Sequence, residues 1–336
     1  MKDLVIFSIC NSNYIRETDI LFHSLKRYLT IEFKFIVINV DLEFEVLNSH
    51  YEIINTSSIF KDHEIDSFLR SKYNLTEYAT SIKPKCFSYF FENGFTDVIY
   101  FDPDIELYND LEYLSEGDFG SYDIFLTSHR TSPCSSSSFL DDIDILQTGT
   151  FNFGFLHLRS NSKTNNLAKW WFQMCQAYSF SDLNSGFFTD QYFGNIFISY
   201  FKLNIKRLNN TKYNIAYWNI DELDFFDISR VFFIHFSKVN RLNENQIFSY
   251  LKNYPYFYNQ CLNYAKRDLE NKSKILCKIP FRKITHTERL FNTLVDKGTL
   301  NKHSFFIRTY VRMKFYFLYP LLKHLSYRKQ KAVINL

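Results

Sequence analysis

Residues 98–108 read Val-Ile-Tyr-Phe-Asp-Pro-Asp-Ile-Glu-Leu-Tyr, an apolar run that ends in two carboxylates separated by a proline. The apolar run predicts a buried strand whose carboxyl end carries Asp102 and Asp104. Ligands of open α/β sheets bind at such strand ends. Two carboxylates held by Pro103 suit a divalent cation that keeps open positions for phosphate oxygens. The first hypothesis is therefore a metal-assisted enzyme that acts on a nucleoside diphosphate.

The Asp-x-Asp spacing alone is weak support, because the chain contains it a second time as Asp142-Ile143-Asp144. This second copy lies beside Asp141 and downstream of a serine run. We interpret it as a solvated acidic loop. The strand before Asp102 is what separates the two copies.

The composition is that of a folded protein. The chain has 336 residues, enough for one large domain or two modest ones whose core needs no disulfide or structural metal. Apolar residues make up 46% and charged residues 22%, which excludes a disordered protein. Because there are 38 Phe and 24 Tyr but only 8 Gly and 6 Pro, we expect an aromatic-rich core with few loose linkers.

The cysteines and the N-terminus indicate a cytoplasmic protein. The six cysteines form no Cys-x-x-Cys pair and mostly lie in apolar segments, at Cys10, Cys86, Cys134, Cys175, Cys261 and Cys277. They are interpreted as reduced core residues. The apolar run at the N-terminus is interrupted at Asn11, too early for a signal peptide or a membrane span. We expect a protein that is neither secreted nor integral to a membrane.

Strands and helices alternate along the chain. The patterns predict a strand at 4–10, a helix at 16–29, a strand at 35–40, a helix at 76–92 stopped by Gly94, and strands at 97–101 and 123–127. This order is typical of βαβ units and a parallel sheet. The serine-rich segment 131–138 is either an active-site lid or a solvent loop.

Further polar blocks stand in apolar surroundings beyond the serine run. They contain Asn152-Phe-Gly154, Asp190-Gln191, Tyr213-Asn214 and, after an apolar strand, His235. An acidic pair at a strand end followed by these blocks resembles the GT-A type nucleotide-sugar glycosyltransferases. The resemblance is strongest to the glycogenin-like and lipopolysaccharide galactosyl- and glucosyltransferase group and to bacterial capsule or O-antigen relatives. It covers residues 1–245.

The resemblance implies an α/β fold, a GT-A (Rossmann-like) nucleotide-diphospho-sugar transferase domain at 1–245 with a mixed, mainly parallel sheet. Residues 246–336 would then form a helical C-terminal extension, basic and aromatic in composition. Within it, 303–336 fits either a helix on an anionic membrane surface or a helix packed on the catalytic domain. Nucleic-acid binding is another use of these basic residues. However, the net charge of the chain is only +3 and no RNA- or DNA-binding module is recognised.

The resemblance also implies a metal site. Asp102 and Asp104 would hold Mn²⁺ or Mg²⁺, with His235 as the third protein ligand. Two carboxylates and an imidazole leave octahedral positions for two phosphates. The ion would neutralise charge on the departing diphosphate. The alternative for His235 is a core histidine bonded to a backbone carbonyl.

Three basic residues are implied to contact the donor. Lys83 matches a basic position that contacts the donor in relatives, with a solvated lysine as the alternative. Lys238 stands where the family often has a glycine, which leaves the conformation of that loop open. Arg241 keeps a cation at the position that reaches the phosphates.

Three polar residues after the first strand are implied to bind the nucleoside. Ser8, Asn11 and Tyr14 lie where relatives hold it, and Tyr14 would stack on the base. The alternative is ordinary turn chemistry after a strand.

Four residues are implied to surround the donor sugar. Asn152 would bind sugar hydroxyls, and Gly154 would let the backbone approach closely. Asp190 and Gln191 would lie beneath the sugar and hold hydroxyls or steady the developing oxocarbenium ion. The alternatives are a turn for Asn152 and Gly154, and a helix N-cap for Asp190 and Gln191.

The implied activity is transfer of a hexose from a UDP-sugar to a glycan or lipid-linked glycan hydroxyl in surface polysaccharide synthesis, with retention of configuration. An inverting enzyme would need a general base, for which Asp190 or one of Asp141 to Asp144 is the candidate. A catalytically silent scaffold that binds nucleotide sugar or glycan is the alternative from another class. A phosphatase or nucleotidyltransferase using the same carboxylates is the third.

Overall fold

The computed structural model describes residues 3–183, 186–239, 246–267 and 274–279. Its strands are β1 (Leu4–Cys10), β2 (Lys34–Asn39), β3 (Glu43–Asn48), β4 (Glu52–Asn55), β5 (Asp97–Phe101), β6 (Ile105–Leu107), β7 (Ile124–Ser128), β8 (Phe151–Arg159), β9 (Ser181–Asp182), β10 (Phe187–Phe188), β11 (Ile205–Arg207), β12 (Phe233–His235) and β13 (Lys274–Ile279). Its α-helices are α1 (Ile15–Tyr28), α2 (Thr56–Ile59), α3 (His63–Lys72), α4 (Leu75–Ser81), α5 (Lys83–Glu92), α6 (Asp142–Thr148), α7 (Ser162–Tyr178), α8 (Gly194–Tyr200), α9 (Gln246–Leu251) and α10 (Pro255–Lys266).

A seven-stranded sheet has the order β11-β7-β8-β5-β1-β2-β4. β4, β2, β1 and β5 are parallel to one another, and β11 is parallel to β7. β8 runs antiparallel to both β5 and β7. The sheet is thus mixed and mainly parallel, and the predicted α/β class is confirmed.

The strands at the centre of the sheet are buried on both faces. In β1, Val5 and Phe7 pack into the core on the side of α5 and α7, whereas Leu4 and Ile6 pack into the core on the side of α1. A strand covered on both faces needs a continuous apolar run rather than an alternating one. That is why 4–10 and 97–101 were predictable, and the structure confirms both strands.

The order in which successive strands are placed in the sheet reverses between β1 and β5. The chain proceeds from β1 outward through β2 to β4, and then returns to place β5 on the other side of β1. A crevice opens at the carboxyl ends of strands at such a switch point, and ligands of open α/β sheets bind there. Asn11 follows β1 and Asp102 follows β5, so both lie at this crevice.

Two sequence-based element predictions need correction. The single helix predicted at 76–92 is two helices, because α4 ends at Ser81 and α5 begins at Lys83 with Pro84 in its first turn. Proline is tolerated there because the first-turn N–H groups have no partner within the helix. The loop predicted at 141–144 is instead the start of α6, where Asp141 and Asp144 form a reciprocal capping box.

Residues after 245 pack against residues before it. α9 and α10 share a core with the segment from Ile215 to Val239, and the rings of Phe236 and Tyr264 stack at 3.9 Å between centres. β13 pairs antiparallel with β3, so 274–279 is a strand and not a helix. The domain boundary at 245 stays a prediction. The segment 303–336 lies outside the described residues.

Two other expectations can be compared with the structure. Cys10, Cys86, Cys175 and Cys261 are buried thiols, and Cys134 is half-buried and also unpaired. In the described part of the chain, no helix combines the length and apolarity that crossing a bilayer requires. The predicted cytoplasmic location stays a prediction.

Candidate metal centre

Three side chains meet beside the end of β5. His235 Nε2 lies 3.1 Å from Asp104 Oδ1 and 3.6 Å from Asp102 Oδ2. One ligand atom from each residue lies within 4.8 Å of the others. An octahedral ion with ligands at about 2.1 Å separates neighbouring ligand atoms by about 3 Å. The two distances from His235 Nε2, 3.1 and 3.6 Å, are near that separation, so one ion could contact all three residues and would keep positions for other ligands.

Backbone pairing brings these residues together. Asp102 N donates to Gly154 O at 2.7 Å, which fixes the end of β5 against β8. β6 then pairs antiparallel with β12, so that His235 lies opposite Ile105. Phe236 N donates to Asp104 O at 2.8 Å. A short two-stranded ladder thus joins an acidic pair to a histidine that is distant in sequence.

Gly154 leaves the space that the imidazole of His235 occupies. A Cβ atom at this position would lie 2.4 Å from His235 Cε1 and 2.8 Å from Asn152 Oδ1. Such distances are far below van der Waals contact, so a side chain here would displace the imidazole. We expected this glycine to allow a close approach to substrate, whereas the structure shows it accommodating a proposed metal ligand.

The charges of the cluster favour a cation. Burial raises the pKa of Asp102, and the nearby Lys83 and His235 only partly oppose that rise. Burial alone would lower the pKa of His235, but the carboxylates of Asp104 and Asp102 outweigh it and raise the pKa above its ordinary value. The carboxylates therefore attract positive charge to this point, and a divalent cation would take the place of the imidazole proton.

The core-histidine alternative for His235 does not match its contacts. Its Nε2 faces the two carboxylates, and its Nδ1 has no hydrogen-bond partner among the described residues. The ring of Trp218 packs edge-on against the imidazole at 5.2 Å between centres. Trp218 is only 3% exposed, so it supports His235 and offers no open face for a sugar.

Lys83 and Asp190 form a buried ion pair next to the cluster. Lys83 Nζ lies 2.9 Å from Asp190 Oδ2, and the two side chains are 3% and 2% exposed. Lys83 also donates to Phe153 O at 2.9 Å. The solvated-lysine alternative is therefore wrong. Asp190 makes no capping hydrogen bond to the turn that follows it, so the N-cap alternative does not explain its side chain.

The side-chain amides of Asn152 and Gln191 make most of their hydrogen bonds to other protein groups. Asn152 Oδ1 accepts from Gly154 N at 3.0 Å. Gln191 Oε1 accepts from Phe153 N at 2.9 Å, and its Nε2 donates to Thr148 O at 2.8 Å. Because a side-chain amide has two N–H donors, each residue has one N–H that makes no hydrogen bond to the described residues.

Two residues that the sequence did not single out as site residues hold Asn152. His129 Nδ1 donates to Gly149 O at 2.7 Å, and Asn152 Nδ2 donates to His129 Nε2 at 3.1 Å. Burial lowers the pKa of His129 to about 4, so the ring is neutral and Nε2 can accept. Asn214 Nδ2 donates to Asn152 Oδ1 at 3.1 Å. No spacing rule marks His129, since its partners belong to other elements.

The predicted nucleoside residues lie at the crevice. Ser8 and Asn11 are buried, at the end of β1 and just after it, whereas Tyr14 is half-buried in the turn that follows. Ser8 Oγ and Asn11 Oδ1 have no hydrogen-bond partner in the described part of the chain. Buried polar atoms are normally paired, so a ligand or water is expected at both.

The end of β2 adds two polar residues that we did not predict. Asn39 is fully buried and its Nδ2 has no partner among the described residues. Asp41 is also fully buried and accepts from Ser12 N at 2.8 Å. The signal was present in the sequence, because Asn39 interrupts the apolar run of its strand as Asp102 ends the run at 98–101.

The backbone at Lys238 shows which conformation the loop after β12 adopts. Its backbone φ is 63°, in the left-handed region that favours glycine. The loop thus keeps a glycine-like conformation although the residue is lysine. The side chain is exposed, with Nζ 5.9 Å from the ring centre of Tyr217. Arg241 lies outside the described residues.

The serine-rich segment 131–138 is exposed but anchored. Arg130 pairs with Asp221 through both of its terminal nitrogens, at 2.6 and 3.0 Å. Glu222 accepts from the backbone N–H groups of Thr131 and Ser132. These contacts fix the amino-terminal part of the segment, and they leave the choice between lid and solvent loop open.

No protein-family model and no curated protein matches this chain. Among solved structures, the glycosyltransferase GlyE of Streptococcus pneumoniae is similar at 16% identity and a TM-score of 0.45, covering 80% of this chain and 61% of that one. The galactosyltransferase LgtC, in complex with donor and acceptor sugar analogues, is similar at 14% identity and a TM-score of 0.43. The match covers 79% of this chain and 98% of LgtC. The bifunctional glycosyltransferase WbbM is similar at 12% identity and a TM-score of 0.43. The match covers 80% of this chain and 52% of the WbbM chain. Likenesses this distant carry no argument about activity, which depends here on the geometry of the site.

Proposed function

We propose that the protein is a metal-dependent glycosyltransferase that moves a hexose from a UDP-sugar to a hydroxyl of a glycan or lipid-linked glycan. The observation that carries the proposal is the cluster of Asp102, Asp104 and His235, whose ligand atoms lie within 4.8 Å of one another at the switch point of the sheet. Two carboxylates and an imidazole fit Mn²⁺ or Mg²⁺. The free face of such an ion is suited to diphosphate oxygens.

The crevice would hold the two ends of the donor on opposite sides of the cluster. The nucleoside would lie against the ends of β1 and β2, where Ser8, Asn11 and Asn39 present buried atoms without protein partners. Lys238 follows His235 on the same loop and would face the diphosphate. Arg241 is proposed as a second cation. Stacking of Tyr14 on the base stays a prediction.

The sugar would lie on the side of Lys83 and Asp190. Their ion pair and the remaining N–H groups of Asn152 and Gln191 offer charge and donors to sugar hydroxyls. The carboxylate of Asp190 could also stabilise positive charge that develops on the sugar. When bound, the divalent cation neutralises charge on the departing diphosphate.

Retention of configuration is the outcome that we propose. Inversion needs a general base within reach of the acceptor. Asp190 is occupied by Lys83, Asp141 and Asp144 cap α6, and Asp142 accepts from Cys134 N at 3.0 Å. These contacts favour a reaction in which the leaving diphosphate itself helps to remove the acceptor proton.

The test is release of UDP by the purified protein. With Mn²⁺ and a panel of UDP-sugars, we expect slow UDP release from one donor, faster when the right acceptor is added. Asp104→Asn is the control, since it replaces a proposed anionic ligand with a neutral amide of nearly the same size. No release from any common UDP-sugar, even with acceptor extracts, would contradict the enzyme proposal.

The same assay separates the alternatives. A UDP-sugar that raises the melting temperature through mass action but is never cleaved would indicate a silent binding scaffold. Inorganic phosphate or pyrophosphate as the product would indicate a phosphatase or nucleotidyltransferase. Surface polysaccharide synthesis in the cytoplasm is the setting we propose, and contact of 303–336 with a membrane stays a prediction.

A further inference from the structure

Tyr100 contacts one of the proposed metal ligands from behind. It belongs to β5, is 3% exposed, and lies two residues before Asp102. Its hydroxyl donates a hydrogen bond to Asp102 Oδ1.

This hydrogen bond orients the carboxylate of Asp102, since it holds one of the two oxygens. Because Tyr100 engages Oδ1, it is Oδ2 that faces His235 Nε2 at 3.6 Å. The terminal torsion of an aspartate is broad and roughly two-fold, so without a partner the carboxylate could turn. The side chain of Asp102 is still 31% exposed, which leaves room for such a rotation.

The ring of Tyr100 also contacts the sugar side of the site. Lys83 Nζ lies 4.3 Å from the ring centre and 2.9 Å from Asp190 Oδ2. A cation over an aromatic face is attracted to it. Tyr100 therefore stands between the Lys83–Asp190 pair and the carboxylate of Asp102, in contact with both.

We propose that Tyr100 is a positioning residue of the metal centre, which fixes the Asp102 carboxylate with its free oxygen toward the ion and connects this ligand to the Lys83–Asp190 pair. The inference rests on the metal site of the proposed function. Loss of a group that orients a metal ligand typically lowers metal affinity about 10- to 100-fold. If the hydrogen bond only satisfied the buried hydroxyl of Tyr100, its loss would lower the stability of the fold and leave the affinity for metal unchanged.

The experiment compares Tyr100→Phe with Tyr113→Phe. Phenylalanine keeps the ring that packs against Phe7 and Lys83, so the fold is expected to persist. Tyr113 is a matched control because it too is buried and hydrogen-bonded to a side chain, His157 Nδ1 at 3.2 Å. Mn²⁺ alone is titrated into each protein by calorimetry, and free Mn²⁺ is counted by its electron paramagnetic resonance. Melting temperatures in EDTA check that each variant is folded.

We expect Tyr100→Phe to bind Mn²⁺ at least about tenfold more weakly than the wild type, and Tyr113→Phe to bind it equally well. Equal affinity of wild type and Tyr100→Phe would overturn the inference while the metal site stands. An equal loss of Mn²⁺ affinity in both variants would also overturn the inference, because it would then result from a general change in packing. Absence of Mn²⁺ binding in the wild type would instead refute the metal site of the proposed function.

Discussion

The segments Asp102-Pro-Asp104 and Asp142-Ile-Asp144 have the same spacing and different surroundings. The first follows a fully buried strand at the centre of the sheet, and both carboxylates face the imidazole of His235. The second opens an exposed helix, where Asp144 Oδ2 accepts from Asp141 N at 3.0 Å and Asp141 Oδ1 accepts from Asp144 N at 2.7 Å. One pair meets a ligand from another part of the chain, and the other satisfies local backbone donors.

The difference shows what turns an acidic pair into a metal site. A carboxylate at a solvated helix N-terminus already has N–H partners and a favourable helix dipole. A carboxylate at the end of a buried strand has few donors of its own and lies where other strands deliver their side chains. β12 delivers His235 to Asp104 in this way.

Removal of the metal should have the largest effect. Because only the first segment has a cation-binding arrangement, EDTA should reduce UDP release to background, and added Mn²⁺ should restore it. The measurement is UDP release before and after dialysis. Activity that persists after complete removal of metal would mean that the first acidic segment has another use.

Gly154→Ala should disturb the first segment through His235. The added Cβ would meet His235 Cε1 at 2.4 Å, and overpacking of this kind costs roughly 1–3 kcal/mol. We expect a lower free energy of unfolding and a weaker affinity for Mn²⁺. Gly120→Ala is the control, since nothing lies within 4 Å of a Cβ there. Unchanged Mn²⁺ binding in Gly154→Ala would place the metal away from His235.

Asp141→Ala should affect the second segment only. It removes the side chain that accepts from Asp144 N, and loss of an N-cap typically costs about 1 kcal/mol. Urea denaturation should show that loss, while Mn²⁺ affinity stays at the wild-type value. A fall in Mn²⁺ affinity would show that the acidic start of α6 also holds metal.

Lys238→Gly should give the smallest effect, at the loop that follows the histidine of the first segment. An exposed charge pair contributes less than about 1 kcal/mol, so we expect UDP to bind about threefold more weakly in the presence of Mn²⁺. Lys202→Gly is the control, because Lys202 is also an exposed lysine with positive φ, 47° against 63° for Lys238. Equal UDP affinity in both variants would remove Lys238 from the diphosphate site.

Continuous apolar runs made the central strands and the position of Asp102 predictable. The start of α6 was missed although Asp141 and Asp144 have the spacing of a capping box, because a seven-residue helix is too short to show a clear period. The pairing of Lys83 with Asp190 could not be read from the sequence. It depends on how α5, α7 and β8 pack together, and local patterns do not record such packing.

We propose that their surroundings, and not their spacing, make Asp102 and Asp104 metal ligands. Titration of Mn²⁺ into the wild type, Asp104→Asn and Asp144→Asn tests it most directly, since the two variants make the same change in the two segments. We predict that the wild type and Asp144→Asn bind Mn²⁺ equally and that Asp104→Asn binds it on the order of 100-fold more weakly, because it lacks one anionic ligand. Wild-type affinity in Asp104→Asn, or a loss confined to Asp144→Asn, would contradict it.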